Sequence, residues 1–338
     1  MKEFRIKKNE AGQRFDKYLA KLLPGAPKSF LYRMLRKKNI VLNGGKAQGP
    51  EIVREGDLVR LFLADDTFGK FSQRPPSDTS FSSENERLFA AAKPIFESPV
   101  YADREIMLIN KPRGILSQKA GVKDASLNEF LLRWWLESGT GTEEDLRTFR
   151  PAVMNRLDRN TTGIVLCGLS LPGEQFLAEI LRDRSAKKVY RTLVFGCPED
   201  GVFTAWHRLA GKDGLVRISD SPAEGASQIR TGIRKIAGRD GMSYLEIDLL
   251  TGKKHQIRAH LAHLGFPVAG DEKYGSAEKN RGLRKRFGIR SQLLHAYRFS
   301  FPEQVEGSFA YLAGRSFTAP LPDFMSRVLR ELGLIQRP

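Results

Sequence analysis

Between Arg14 and Leu23 the apolar residues Phe15, Tyr18, Leu19 and Leu22 recur three and four positions apart, the spacing that lines one face of a helix. The stretch "PKSFLYRMLRKKN" repeats the pattern, with Leu31, Met34 and Leu35 on one side, Arg33, Arg36 and Lys37 on another, and Ser29 placed to cap the first turn. "IVLNGGKA" then predicts a strand entering an Asn43-Gly44 turn, and "DLVRLFLA" a later strand. From Thr67 to Arg87 the apolar period vanishes; "TFGKFSQRPPSDTSFSSENER" carries five serines and two prolines, which predicts a linker or an exposed excursion. Short β-rich runs return in "EIMLINKP", "TGIVLCG", "KVYRTLVFG" and "SYLEIDLL". Helical patterns intervene, such as "GEQFLAEILRDR" with Phe176, Leu177, Ile180 and Leu181 on one stripe. Strands interleaved with helices, without an internal repeat, predict an α+β fold with a mixed or antiparallel sheet. The expected division is a small α/β domain over 1–65, a linker over 66–95 and a larger domain over 96–338.

A chain of 338 residues with 41% apolar content can bury two or three separate cores, which excludes disorder throughout. Its apolar runs fall far short of the roughly 20 residues that span a bilayer, and "MKEFRIKKNEAGQRFDKYL" lacks the apolar core of a signal peptide. A soluble, cytoplasmic monomer without membrane contact is the expectation. Cys167 and Cys197 are too few for a disulfide framework and lack metal-ligand spacing.

Charge narrows the partners. Fifty-six Lys and Arg against thirty-nine Asp and Glu leave +17, which favours a polyanion, either nucleic acid or an anionic membrane. Residues 1–65 hold fifteen of the bases against seven acids, so Lys28, Arg33, Arg36 and Lys37 become candidate RNA contacts on a basic helix face. "KNRGLRKRFGIR", from Lys279 to Arg290, has six bases and no acid; it predicts an RNA-contacting loop that includes Arg284, Lys285 and Arg286.

No stretch announces a cofactor. "GGKAQG" sits in a predicted hairpin and lacks the Lys-Ser/Thr ending of a phosphate-binding loop, and no Gly-x-Ser-x-Gly elbow is present. "HQIRAHLAHLG" sets His260 and His263 three apart on one helical face, but no Cys pair or acidic cluster accompanies them. No metal is expected, and these histidines read as surface or RNA-facing. The remaining stretch is "MNRLDRNTTGIVLCG", which places Asp158 between Arg156 and Arg159 at the mouth of an apolar run. In an extended backbone Arg156 and Asp158 share one face while Leu157 and Arg159 share the other. The residues alone leave two readings open, a strand-end ion pair or a reactive carboxylate.

"NRLDRNTTGIVL", "KKVYRTLVFG" and "LLTGKKHQIRAHLAHLGFPVAGDEKYG" together resemble the RluA-type pseudouridine synthases, most closely the ribosomal-RNA members with an N-terminal RNA-binding domain. "RFDKYLAKLLPGAPKSFLYRMLRKKNIVLNG" looks like the small RNA-binding module of ribosomal small-subunit protein four, and "EIMLINKPRGIL" like the first strand and Lys-Pro-x-Gly turn of the synthase domain. The resemblance implies a cofactor-free isomerase that flips a uridine out of RNA, with large-subunit ribosomal RNA as the expected partner. It implies Asp158 as the catalytic acid, Arg156 as the group filling the gap left by the flipped nucleotide, Tyr190 as the ring against the uracil, and Arg258 as the partner of Asp158. Lys253 and His255 are implied RNA contacts. Asn155 stands where the family has His, and Lys253 where it has Arg, so both are expected to alter RNA contacts. Thr162 for Ser keeps the hydroxyl. The competing expectation is a non-catalytic RNA-binding or ribosome-assembly factor on the same scaffold.

Overall fold

A computed structural model describes residues 1–73, 82–121, 124–210 and 214–336 of the chain. The N-terminal part holds β1 (Lys2–Arg5), α1 (Phe15–Leu22), α2 (Lys28–Arg36), β2 (Ile40–Leu42), β3 (Gly45–Lys46) and β4 (Leu58–Leu61), whose strands form an antiparallel sheet in the order β1-β4-β2-β3. The apolar faces of α1 and α2 pack on this sheet in a core that includes Phe15, Tyr18, Leu19, Leu31, Leu35 and Val59. Ser29 lies inside α2, because Pro27 occupies the capping position with the extended backbone that proline favours there. The basic side chains Lys28, Arg33, Arg36 and Lys37 all face solvent.

Next come α3 (Asp65–Ser72), α4 (Ser83–Ala92) and α5 (Pro94–Glu97). The expected linker therefore carries helices at both ends. Their anchors are aromatic: Phe68 and Phe71 pack on the N-terminal core, and Phe89 joins the main core. Three apolar rings among many serines were too sparse to show a period. Residues 74–81 of that stretch lie outside the described residues.

The main body continues with β5 (Tyr101–Ala102), β6 (Ile106–Lys111), α6 (Leu127–Glu137), β7 (Ala152–Val153), β8 (Thr162–Gly168) and α7 (Leu171–Arg182). It then runs through β9 (Lys187–Phe195), β10 (Gly201–Ala210), β11 (Leu215–Ser219), β12 (Ser227–Arg239) and β13 (Met242–Leu249). The last elements are α8 (Gln256–His263), α9 (Ala277–Phe287), β14 (Leu294–Ser300), β15 (Ser316–Thr318) and α10 (Asp323–Glu331). One mixed sheet runs β11-β10-β12-β13-β9-β14-β8-β6-β5, with β15 on β14 and β7 on β8. Only the β14–β8 pairing is parallel among the described ladders.

The central strands explain their own composition. β8 sends Val165 and Cys167 into one core and Ile164 and Leu166 into another, and β6 divides Met107 and Ile109 from Ile106 and Leu108 in the same way. With both faces covered, neither strand has room for the polar alternation of a half-exposed sheet. α9 corrects the loop expected over 279–290. Leu283 and Phe287, four apart, pack against Met325, Val328 and Leu329 of α10, and Gly288 closes the helix in the left-handed conformation.

The two parts touch through polar contacts. Lys7 Nζ donates to Asp145 Oδ1 at 2.8 Å, and the buried Glu10 accepts from the Thr148 hydroxyl. Among the described residues no helix is long and apolar enough to cross a membrane.

Candidate active site

Asp158 sits on an irregular loop between β7 and β8 that is fastened from below. β6 ends at Lys111 because Pro112 cannot continue a ladder. The Lys111 side chain is fully buried, and its ammonium donates to the carbonyls of Pro112, Arg159 and Thr161 at 2.9, 3.0 and 2.9 Å. Burial pushes it down to about 7, while the charge of Asp158 pulls the other way. The Ser117 hydroxyl both donates to the Leu157 carbonyl and accepts from its amide, each at 3.0 Å, so the buried Leu157 fixes the residue next to Asp158.

Asn155 accepts from the Leu166 amide at 2.7 Å. Its amide group therefore serves the backbone of β8. The chain turns immediately after Asp158, with the Thr161 amide donating to its carbonyl at 3.0 Å. This turn ends the alternation read from sequence: Arg159 is exposed, 3.8 Å from Asp124, and does not follow Leu157 inward. Gly163 is the closest approach in the region. At φ 109° any Cβ there would lie 2.2 Å from the Ala296 carbonyl oxygen, so β8 and β14 meet only because this residue is glycine. Beside it, Thr162 Oγ1 lies 2.8 Å from Nδ1 of the buried His295, whose Nε2 lies 3.2 Å from the Ala319 carbonyl.

The facing wall is α8, buried along most of its length. Its start is set by Gln256, whose Oε1 accepts from Thr251 and from the Lys253 amide while Nε2 donates to the Arg230 carbonyl and to Thr231. All four of its hydrogen-bonding positions are thereby satisfied. His255, just before it, holds the left-handed conformation at φ 53°. One turn on, Arg258 grips the fully buried Asp271 with two bonds, Nε to Oδ2 at 2.6 Å and Nη2 to Oδ1 at 2.9 Å. Its remaining Nη1 donates to Asp158 Oδ2 at 2.7 Å. Burial opposes the Arg258 charge, but the two carboxylates more than reverse this and raise its pKa.

Among the described residues Asp158 is thus held by one oxygen only. Oδ1 faces His255 Nε2 at 3.7 Å, beyond hydrogen-bond reach, and the carboxylate side chain stays 25% exposed. His255 Nδ1 is 2.9 Å from the Tyr274 hydroxyl, which also accepts from the Val216 amide at 3.0 Å. Burial lowers the His255 pKa more than the nearby Asp158 charge raises it. Tyr190, on β9, is nearly buried among core residues that include Leu157 and Ile257; burial first, then the Asp158 charge, push its phenol up. The result is a partly exposed carboxylate beside a tyrosine ring, an imidazole and a fixed guanidinium.

The structure brings Asp158, Tyr190, His255 and Arg258 together. Arg156 and Lys253 lie exposed near this group in sequence. Arg284, Lys285 and Arg286 point outward from α9, with Arg284 held by Glu272 at 2.8 Å. Lys28, Arg33, Arg36 and Lys37 belong to the separate N-terminal sheet unit. The histidines expected at the surface divide: His260 is fully buried against Thr231, with its pKa lowered to about 4 by burial, whereas His263 is exposed and meets Asp220. Sequence reasoning assigned no role to Lys111, Asp271 or Tyr274. A lysine ending an otherwise apolar strand, and an acid thirteen residues after Arg258, were the available signals.

The model of the RNA pseudouridylate synthase family matches residues 105–263. Ribosomal large subunit pseudouridine synthase C of Haemophilus ducreyi is 28% identical over 341 residues, covering 97% of this chain and 95% of that protein. Ribosomal large subunit pseudouridine synthase D of Neisseria meningitidis is 28% identical over 331 residues, covering 96% of this chain and 80% of that one. Among solved structures, human RNA pseudouridylate synthase domain containing 4 shares the fold, with a TM-score of 0.59 and 20% identity over 74% of this chain and 98% of that one. With the family model matched over residues 105–263 and the relatives aligned along nearly the whole chain, the protein carries an RNA pseudouridylate synthase domain and is an RNA pseudouridine synthase, an isomerase.

Proposed function

We propose that this synthase acts on uridines of large-subunit ribosomal RNA, with Asp158 as the reacting carboxylate. The ribosomal substrate is suggested by the names of the relatives from Haemophilus ducreyi and Neisseria meningitidis. The reaction breaks the bond from uracil N1 to the ribose, turns the base, joins the ribose to C5 and moves the C5 proton to N1. Nothing is oxidised and no second reactant enters.

One observation carries the assignment of Asp158. Its Oδ2 is fixed by an arginine that is itself anchored twice to Asp271, while Oδ1 has no hydrogen bond among the described residues. A carboxylate oriented through one oxygen and free at the other suits attack on the sugar or the base, or proton removal from the sugar. Arg258 Nη1, by holding Oδ2, fixes which oxygen is left for these routes. A base within RNA structure must first leave its stack, at a cost of a few kcal/mol. Tyr190 offers the extruded uracil a face, and Arg156 fills the space it leaves.

Residues 1–65 serve as an RNA-binding domain joined through 66–95 to the catalytic domain over 96–338. Lys28, Arg33, Arg36 and Lys37 are exposed there, and Arg36 lines a cavity of about 330 Å³ with Tyr32, Lys46 and Gln48. Lys253, His255, Arg284, Lys285 and Arg286 add contacts nearer the reacting base. The test is a pseudouridine map of large-subunit ribosomal RNA from cells with and without the gene. At least one site should disappear with the gene; an unchanged map contradicts the ribosomal substrate and is what a non-catalytic assembly factor would give.

A further inference from the structure

Strands β10, β11 and β12 present two faces of opposite character. Phe203, Ala205 and His207 turn inward, where His207 Nε2 lies 2.9 Å from the Lys254 carbonyl and the Val216 amide of β11 reaches Tyr274. By the two-residue period of a strand, Thr204, Trp206 and Arg208 turn to the opposite, outer face. The ladder then sets Arg208 directly across from Arg217, Trp206 between Ser219 and Gln228, and Thr204 beside Arg230. All three arginines are exposed.

Like charges directly opposite on a ladder destabilise it, and no ion pair among the described residues relieves these. Glu246 is taken by Arg191 and Arg234, Asp248 by Lys187, and Asp220 by His263. Among the described residues Arg208, Arg217 and Arg230 have no ion-pair partner. Trp206 is equally unplaced. Trp134 and Trp135 fill the main core, whereas the half-exposed Trp206 belongs to none of the four cores. A repulsive arginine pair kept around an unshared indole matches a single strand of nucleic acid, in which bases stack on aromatic rings and phosphates meet arginines.

We infer that the outer face of β10–β12, centred on Trp206 and flanked by Arg208, Arg217 and Arg230, holds a single-stranded segment of the substrate RNA beside the segment that carries the target uridine. This rests on the RNA reading above. β11 is the sheet edge, and its buried side borders the site through Val216 and Tyr274. RNA rounding that edge passes from the arginine face to Asp158 over the thickness of one strand layer.

The test uses the full chain and an unmodified large-subunit ribosomal RNA transcript. Binding is measured across a salt series for wild type, Arg217→Glu, Trp206→Ala and, as a matched charge change on α7, Arg182→Glu. Arg217→Glu should weaken binding at least fivefold and lower the slope of log affinity against log salt by about 0.7 for each phosphate that the protein no longer neutralises. Trp206→Ala should weaken binding with little change of slope. The thermal midpoint of Arg217→Glu should not fall, because Glu opposite Arg208 replaces repulsion by attraction; a purely structural role would lower it. Unchanged binding in both variants, or an equal loss in Arg182→Glu, overturns the surface. If wild type converts no uridine in the transcript, the ribosomal substrate fails instead, and the surface is still judged by the same binding comparison.

Discussion

Asp271 never touches the substrate in this account, yet replacing it should be among the most damaging single changes. Asp271→Asn keeps the shape but turns an amide N–H₂ toward Arg258 Nε, now 2.6 Å from Asp271 Oδ2, so donor faces donor. It also leaves a buried guanidinium with one carboxylate, and that one is partly exposed. Breaking a buried pair on one side costs about 3–5 kcal/mol. At about 2–4 °C per kcal/mol for a body of this size, the thermal midpoint should fall by about 6–20 °C. Activity should drop as well, because Arg258 loses the Nε bond, one of the two that aim Nη1 at Asp158.

The pH dependence supplies a second readout. Burial pushes the Asp271 carboxyl up, but Arg258 and the Lys273 and Tyr274 amides outweigh it and leave the group below its ordinary value. A carboxylate with a depressed folded-state pKa contributes stability that is present above the unfolded value, about 4, and is lost as pH falls below it. The gap between wild type and Asp271→Asn in chemical denaturation should therefore narrow on acidification from about pH 5 to about pH 3. A variant with an unchanged midpoint and full single-turnover activity would refute the anchoring role.

Arg156→Ala should slow conversion sharply on a folded stem-loop and much less on a matched unstructured strand, since only the former carries the full unstacking cost; equal losses would reject the gap-filling role. Arg33→Glu with Arg36→Glu should weaken RNA binding and flatten its salt dependence by about 0.7–0.9 for each phosphate released from α2, and an unchanged slope would make that face merely solvated. His260 and His295 are both held neutral by burial, with pKa values lowered to about 4. Their unfolded forms take up protons from about pH 6.5 downward, so stability should fall between about pH 6.5 and 4 by up to about 1.4 kcal/mol per pH unit for each. His295→Asn should remove about half of that slope in denaturation titrations, and an identical slope would contradict the burial account.

What the sequence disclosed follows burial on both faces. β6 and β8 were legible because strands shared between two cores cannot hide polar residues, and α1 and α7 because each covers one core with one stripe. α9 was not, since Gly282 and five bases masked the Leu283 and Phe287 pair that holds it down. Arg258 and Asp158 lie 100 residues apart, and no local period links them; the resemblance of the motifs did. Asp271 and Lys111 escaped for the opposite reason to most buried residues. Their burial is tolerated only through ion pairing or three converging carbonyls, and such partners are arranged by the fold across long stretches of chain.

The central claim is that Asp158 does the chemistry. Asp158→Asn keeps the side-chain shape, and its carbonyl oxygen can still accept from Arg258 Nη1, so folding and RNA affinity should stay close to wild type. With enzyme saturating over a substrate RNA, single-turnover pseudouridine formation by this variant should be undetectable. Pseudouridine appearing at an appreciable fraction of the wild-type rate, with binding intact, would contradict the account and move the reacting group elsewhere in the pocket.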